Sequence, residues 1–535
     1  MRSSVRVATV LALVLGAVLR TVQYGANASL DRDEVSIVVN VVERGWSDLL
    51  FQPLKHNQVA PVGFLFLEKM SLTIGGNTEA AFRFFPYLLS LLSLLLFWRL
   101  SRRYLRPPAL LAVVIVFAMS PTLILYAGFV KQYTGDVAMT LLLLWMTLRF
   151  LDAPTTAAQA AVTGIAGGAA ILLSHPAVLV ASGLAIAVLV RGRREGKPVS
   201  QLLIICIGWF LSTAIMTWIS LSTLSPSTGE YMRDFWGDGF VPPPWMGVRE
   251  LLWIPYRLGT MTTFFATSLH PPLQAWRQIA VTGFYTLLLP LGFLHLCKRD
   301  VRAAVLLAVP VIVAIAAATV QILPLAGRIT LFLAPSLFVC SIAGLDRVRA
   351  WLPRRSANGA YAVGLVLAVL PTLAGLARTP PPVVQWGTLP ALREVKTRWL
   401  PGDRLVAARG QWTSMLVEYY GSRLGLDHRT HLDRLQGDHT DEEILRAYLR
   451  RIDAFRGDPR VWFHLEQTIA CEDEAILGYL DAIGRRLYSA ESHLRPTTLR
   501  GAHRISTHLY DLSDRRLLGR TNAERYAVPK CEMLG

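Results

Sequence analysis

The sequence predicts a polytopic helical membrane protein that ends in a small α/β domain. Three observations carry that prediction. Of the 535 residues, 53% are hydrophobic and only 17% charged, a more apolar balance than soluble enzymes of this length show. Apolar runs of about twenty residues recur over roughly the first 380 positions, each long enough to cross a hydrocarbon core of about 30 Å. From about Arg378 the proline-rich TPPPVVQWG leads into polar sequence with short apolar runs.

The runs place about eleven spans near 7–24, 82–99, 108–127, 136–152, 157–174, 177–190, 201–221, 278–296, 303–321, 329–345 and 358–377. Between them lie short basic connectors, among them Arg99 to Arg106, Arg191 to Lys197, Lys298 to Arg302 and Arg347 to Arg355. Basic connectors mark the cytoplasmic side. With a cytoplasmic N-terminus, an odd number of spans then puts the C-terminus outside. The net charge of +17 therefore records topology, and no nucleic-acid partner is expected. The N-terminal run ATVLALVLGAVL followed by Ala26-Asn27-Ala28 imitates an export signal, but Arg20 interrupts the pattern, so an uncleaved first span is expected. The chain thus divides into a transmembrane part, 1–378, and an extracytoplasmic part, 379–535.

In the second part, 403–408 and 460–465 read as buried strands, DEEILRAYLRRI and DEAILGYLDAIG as helices, and STHLYDL as a closing strand. Alternation of this kind suggests an α/β domain. It carries no glycine-rich phosphate loop and no metalloprotease or hydrolase motif. Five cysteines are too few for a disulfide framework, and no Cys/His metal spacing appears. Cys471 and Cys531 could pair if that part is exported.

The chemistry-bearing residues collect in the outside loops. In the first, about 25–81, Asp31, Asp33 and Glu34 follow the first span closely. Carboxylates at a membrane interface can deprotonate a hydroxyl or hold a divalent ion, and they are equally at home on a helix N-terminus. The valines of DEVSIVVNVVERGW recur at helical spacing, as in a helix lying along a membrane surface. Lys55 and His56 belong to a polar cluster; the lysine can bind a phosphate or snorkel to water. Lys131, Tyr133 and Asp136 sit in the turn KQYTGD, where an acid at the start of a span is costly unless paired or wet. His175 precedes Pro176 at another span boundary. Arg328 follows Gly327 at the start of a span and suits a lipid phosphate or an interfacial anchor. A further outside loop, about 222–277, holds Trp236, Trp245 and Trp253, which suit sugar stacking or an interfacial belt.

Together these stretches resemble the GT-C superfamily of membrane glycosyltransferases, in the bacterial branch near protein O-mannosyltransferases and the aminoarabinose and galacturonic acid transferases of lipid A. The resemblance rests on Asp33-Glu34 in the first outside loop and on GNTEAAFRFFP, with Gly76, Glu79, Arg83 and Pro86. The KQYTGD turn, the GRITLFLAP segment and the C-terminal α/β domain follow in order. It departs from lipid A relatives where they carry Lys-Pro-Pro and this chain reads LKHNQVAP. The resemblance implies an inverting transfer of a sugar from a polyprenyl-phosphate donor to an acceptor hydroxyl on the outer, periplasmic face of the inner membrane. The acceptor would be a glycan, a lipid or a protein. It implies Asp33 as general base, with Glu34 orienting the acceptor or a divalent ion. Asp31, Lys55, His56, Arg83, Lys131, Tyr133, Asp136, His175 and Arg328 would bind substrate. No metal-ligand set is diagnostic, and no cofactor beyond a divalent cation is implied. Two other readings share some of these features: a flippase of lipid-linked sugars, and a non-catalytic scaffold whose tail binds cell-wall polymer. A transporter usually buries its coupling residues near the midplane within internal repeats, whereas these charges gather at one face.

Overall fold

A computed structural model describes residues 2–242, 247, 250, 252–267, 275–384, 387–408, 410–426, 429–432, 440–466, 470–493 and 504–529. It divides into two compact units. The first comprises residues 1–27 and 40–383, and the second 28–39 and 384–535.

The first unit is a helical bundle. Its long helices are α1 (Arg2–Gly25), the end of α2 (Arg32–Glu43), α3 (Val62–Gly75), α4 (Glu79–Tyr104), α5 (Pro107–Ala118), α6 (Pro121–Ala127) and α7 (Tyr133–Asp152). They continue with α8 (Ala157–Leu173), α9 (His175–Arg194), α10 (Val199–Thr223), α11 (Pro226–Phe235), α12 (Trp253–Thr267), α13 (Ala275–Thr319), α14 (Ala334–Trp351) and α15 (Arg354–Arg378). All eleven predicted spans fall on helices, yet among the described residues only eight helices are long and apolar enough to cross a membrane, or nine if α5 and α6 form one bent span. The difference has three sources. The α5–α6 pair bends by 47°, α8 has only 17 residues, and residues 278–319 run as one helix. Within that helix Asp300 leaves helical geometry (φ −159°, ψ 89°), and its carboxylate accepts a hydrogen bond from the Ala303 amide at 3.0 Å. This is an N-cap that restarts the helix at the basic CKRD turn.

The bundle closes by near-contact of backbones. A Cβ on Gly292 would fall 1.7 Å from the Cys340 carbonyl, and one on Gly344 would fall 2.4 Å from that of Leu288. Only glycine lets α13 and α14 approach this far. Arg20, the cation that interrupts the first apolar run, is fully buried. It donates to Ser90 Oγ at 2.9 Å and to the carbonyls of Gly16, Ala118 and Phe117 at 3.0, 2.7 and 3.3 Å. The carbonyls at the end of α5, which the break before α6 leaves without helical partners, are thus satisfied by one guanidinium.

The second unit is a mixed sheet with helices. Strands β1 (Arg404–Ala408), β2 (Arg429–Leu432), β3 (Val461–Glu466), β4 (Arg485–His493) and β5 (Arg504–Asp511) lie in the order β2-β1-β3-β5-β4. β1 is parallel to both neighbours, whereas β3–β5 and β5–β4 are antiparallel. Strand β3 is buried along its whole length, as a central strand covered on both faces must be. Val461, Phe463 and Leu465 share a core with Leu445, Tyr448 and Leu449 of α18 (Asp441–Ile452) and with Ile476, Tyr479 and Leu480 of α19 (Ala470–Ile483). His464 and Glu466, on the opposite face, pair at 3.1 Å, and Thr388 at the start of α16 (Thr388–Thr397) donates to Glu466 at 2.8 Å. Two strands escaped the sequence reading. β2 has four residues, and β4 reads RRLYSAESH without an apolar alternation because it is an edge strand with one partner. Cys471 is disulfide-bonded; Cys531 lies outside the described residues.

Candidate functional site

In the second unit, the first turn of α2 is built by its acids. Asp31 is the N-cap: its Oδ1 accepts from the Glu34 amide at 2.8 Å, while Glu34 Oε2 accepts from the Asp31 amide at 2.8 Å. This reciprocal pair is a capping box, and both residues are buried. Asp33, between them at the second helical position, is half-buried and stands outside the box. The segment is tied to the rest of its unit: Tyr420 of α17 (Gly410–Leu424) accepts from the Leu30 amide at 2.7 Å, and Ser36 Oγ lies 3.7 Å from Met415 Sδ. Val35, Ile37 and Val38 have no exposed surface. The helix is therefore a packed element rather than one resting on a membrane surface as its spacing suggested.

The remaining predicted residues lie in the first unit, and several meet at one end of the bundle. Lys131 Nζ donates to Gln58 Oε1 at 2.5 Å. Arg328 Nε donates to Tyr133 Oη at 3.0 Å, its guanidinium 5.9 Å from the centre of that ring. Tyr133 packs edge-on to Tyr126 at 5.2 Å. Asp136 is buried close to Ser174, the N-cap of α9; its oxygen Oδ1 has no hydrogen-bond partner among the described residues. A buried carboxylate oxygen in that state is unusual and marks a place where a further polar group belongs. His175 follows as the first residue of α9 and meets Ser220 at 3.2 Å.

Sequence builds this end simply. The N-termini of α7 and α9 sit side by side here, with Asp136 of the first close to Ser174 at the cap of the second, and helix N-termini carry partial positive charge. Gly327 has φ +48°, a left-handed conformation costly to any residue with a Cβ, and its turn presents Arg328. Thr134 Oγ1, in the first turn of α7, donates to the Pro86 carbonyl of α4 at 2.9 Å. Arg83 and Glu79 are buried one turn apart on the same helix.

The loop 52–61 carries Lys55 and His56. Lys55 pairs with Glu43, both half-exposed, so here the lysine is a surface ion pair. Asn40 grips its backbone, accepting from the Lys55 amide at 2.8 Å. His56 and Asn57 both adopt positive φ, 61° and 51°, and Asn57 Oδ1 accepts from Thr228 at 3.3 Å. Partial burial, then the Lys55 charge, hold the His56 imidazole below the ordinary histidine pKa. Left-handed non-glycine residues persist only where their surroundings over-determine them. The sequence reading did not single out Gln58, Ser174 or Asn40 as site residues. A polar residue beside a candidate cation or acid is the available signal, and it is a weak one. Trp245 lies outside the described residues. Among these residues no cluster of three or more His, Cys, Asp or Glu could hold a metal.

Residues 58–218 match the family model described as dolichyl-phosphate-mannose-protein mannosyltransferase. No curated protein matches the sequence significantly. Among solved structures, ArnT from Cupriavidus metallidurans bound to undecaprenyl phosphate is similar with a TM-score of 0.50 and 13% identity, over 93% of this chain and 97% of that one. The arabinofuranosyltransferase AftD from Mycobacteria gives 0.49 and 13%, over 96% and 40%. The oligosaccharyltransferase AglB from Archaeoglobus fulgidus, with an inhibitory peptide and a dolichol-phosphate, gives 0.46 and 13%, over 92% and 74%. The first of these likenesses shows a shared fold.

Proposed function

We propose, from the match of residues 58–218 to that family model and the fold shared with ArnT, that the chain is a GT-C glycosyltransferase moving a sugar from a polyprenyl-phosphate donor to an acceptor hydroxyl at the extracytoplasmic end of the bundle. The observation that carries this reading is the gathering of Lys131, Tyr133, Asp136 and Arg328 beside the N-termini of α7 and α9. Such an end suits the phosphate of a lipid donor.

Asp33 is the general base. It takes the proton of the acceptor hydroxyl as that oxygen attacks the anomeric carbon. The bond from that carbon to the phosphate oxygen breaks in the same displacement, its electrons leaving with the polyprenyl phosphate, so the anomeric centre inverts. Arg328, oriented through Nε by Tyr133, and Lys131 stabilise the phosphate charge that grows on departure. Asp31 and Glu34 are positioning residues: their capping box fixes the turn that carries Asp33. Asp136 and His175 complete the polar end that receives the substrate. The disulfide at Cys471 fits an oxidising compartment outside the cytoplasm, and the fold shared with a structure that holds undecaprenyl phosphate supports the choice of donor.

The experiment is transfer in proteoliposomes from a panel of radiolabelled polyprenyl-phosphate sugars. With the right donor, Arg328→Ala and Lys131→Met should each lower turnover by about 10²-fold or more, as removal of an oxyanion-stabilising donor does. No turnover with any donor, together with movement of lipid-linked sugar between leaflets, would establish the flippase instead.

A further inference from the structure

The opposite end of the same helices holds a second charged region. Helices α4, α7 and α9 start at the end described above, and α7 alone, with 20 residues, separates the two ends by about 30 Å. Where they stop, a cavity of about 650 Å³ opens around the Asp300 break in α13. It is lined by five cationic side chains, Arg103, Arg191, Lys298, Arg299 and Arg302, against one acid, Asp300.

Part of this charge is internally matched. Arg103 pairs with Asp300 at 2.6 Å, Arg191 with Asp152 at 2.8 Å and Glu195 at 2.7 Å, and Arg302 with Glu195 at 3.2 Å. Arg299 donates to the Tyr104 carbonyl at 2.7 Å and closes the end of α4. Counting the five cations against Asp152, Glu195 and Asp300 leaves two positive charges over. Plain topology calls for basic residues at this end, but it does not call for a hollow of this size held open by paired, and so pre-positioned, guanidinium groups. Val301, on the same rim, is more than half exposed, so one apolar side chain borders the cationic lining.

We propose that this cavity binds a phosphate-bearing anion, and that its amphipathic rim selects the headgroup of an anionic phospholipid in the cytoplasmic leaflet. Arginine forks match phosphate oxygens in pairs, and a basic pocket between membrane helices attracts anionic headgroups. The site lies at the far end from the proposed transfer chemistry and does not depend on it.

The test uses the full chain in neutral-detergent micelles. The probes are phosphatidylglycerol, phosphatidylcholine and inorganic phosphate, with binding read as a dissociation constant. Lys298 and Arg302 are exposed, so K298Q/R302Q should fold and should weaken phosphatidylglycerol binding by roughly fivefold per cation removed. R354Q/R355Q removes the same charge from exposed positions at the start of α15, outside the cavity, and should leave the affinity unchanged. Inorganic phosphate binding with the same dependence on Lys298 and Arg302 would uphold the cavity as a phosphate site and assign it to a free solute. Equal weakening in both variants, or equal affinity for phosphatidylglycerol and phosphatidylcholine, would overturn the proposal.

Discussion

Replacing Asp31 by alanine separates the structural acids from the chemical one. The substitution removes one arm of the capping box, the 2.8 Å bond from the Glu34 amide to Asp31 Oδ1, and leaves a buried amide without that acceptor. Loss of an N-cap side chain costs about 1 kcal/mol, within a range of 0.5–2. Both residues are buried, so water cannot take over the bond and the upper half of that range is expected. Local opening of the first turn of α2 should then become about eight- to thirtyfold more frequent, since 1.4 kcal/mol is tenfold. Hydrogen exchange of peptides covering residues 31–38 in the intact protein reads this directly. Asp33→Asn leaves both arms of the capping box in place and weakens the interaction of one first-turn charge with the helix dipole, about 0.3–1 kcal/mol. Its exchange should rise much less. If Asp31→Ala left exchange unchanged, or Asp33→Asn raised it as far, the division of roles among the three acids would be wrong.

Two further outcomes follow from the geometry. Gly327→Ala forces a Cβ into φ +48° at a cost of about 1–2 kcal/mol; it should lower the melting temperature and, by shifting Arg328, raise KM for the donor. In the second unit, Arg429 grips Glu418 with bonds of 3.0 and 2.9 Å and holds its carboxyl below the usual carboxylate range. A depressed acid stabilises above its unfolded pKa, near 4.3, and that contribution disappears as pH falls through the folded value. Glu418→Gln should therefore flatten the acid limb of the unfolding curve without changing stability below it.

The membrane class and the helical segments were legible because hydrocarbon imposes a length and an apolarity that the letters show directly. The count of spans was less so. Whether residues 278–319 form one helix or two turns on the backbone of Asp300, and whether α5 and α6 are one span turns on a 47° bend. Arg20 illustrates the same limit: its type announced an anomaly, but its four partners lie on three different helices. In the second unit the buried strands showed as apolar runs, whereas the polar edge strand β4 did not. The acids at 31–34 were visible as a group. Their division into a capping pair and a third carboxylate follows from hydrogen bonds whose register, Asp31 with Glu34 at i and i+3, had a sequence signature that acid-rich composition masked.

The most direct test of the account is sugar transfer from the active polyprenyl-phosphate donor by Asp33→Asn protein whose folding matches the wild type. The account predicts a loss of about 10²–10⁴-fold, the usual contribution of a positioned general base, with Asp31→Ala retaining far more activity. Transfer by Asp33→Asn at the wild-type rate would contradict it and move the base elsewhere.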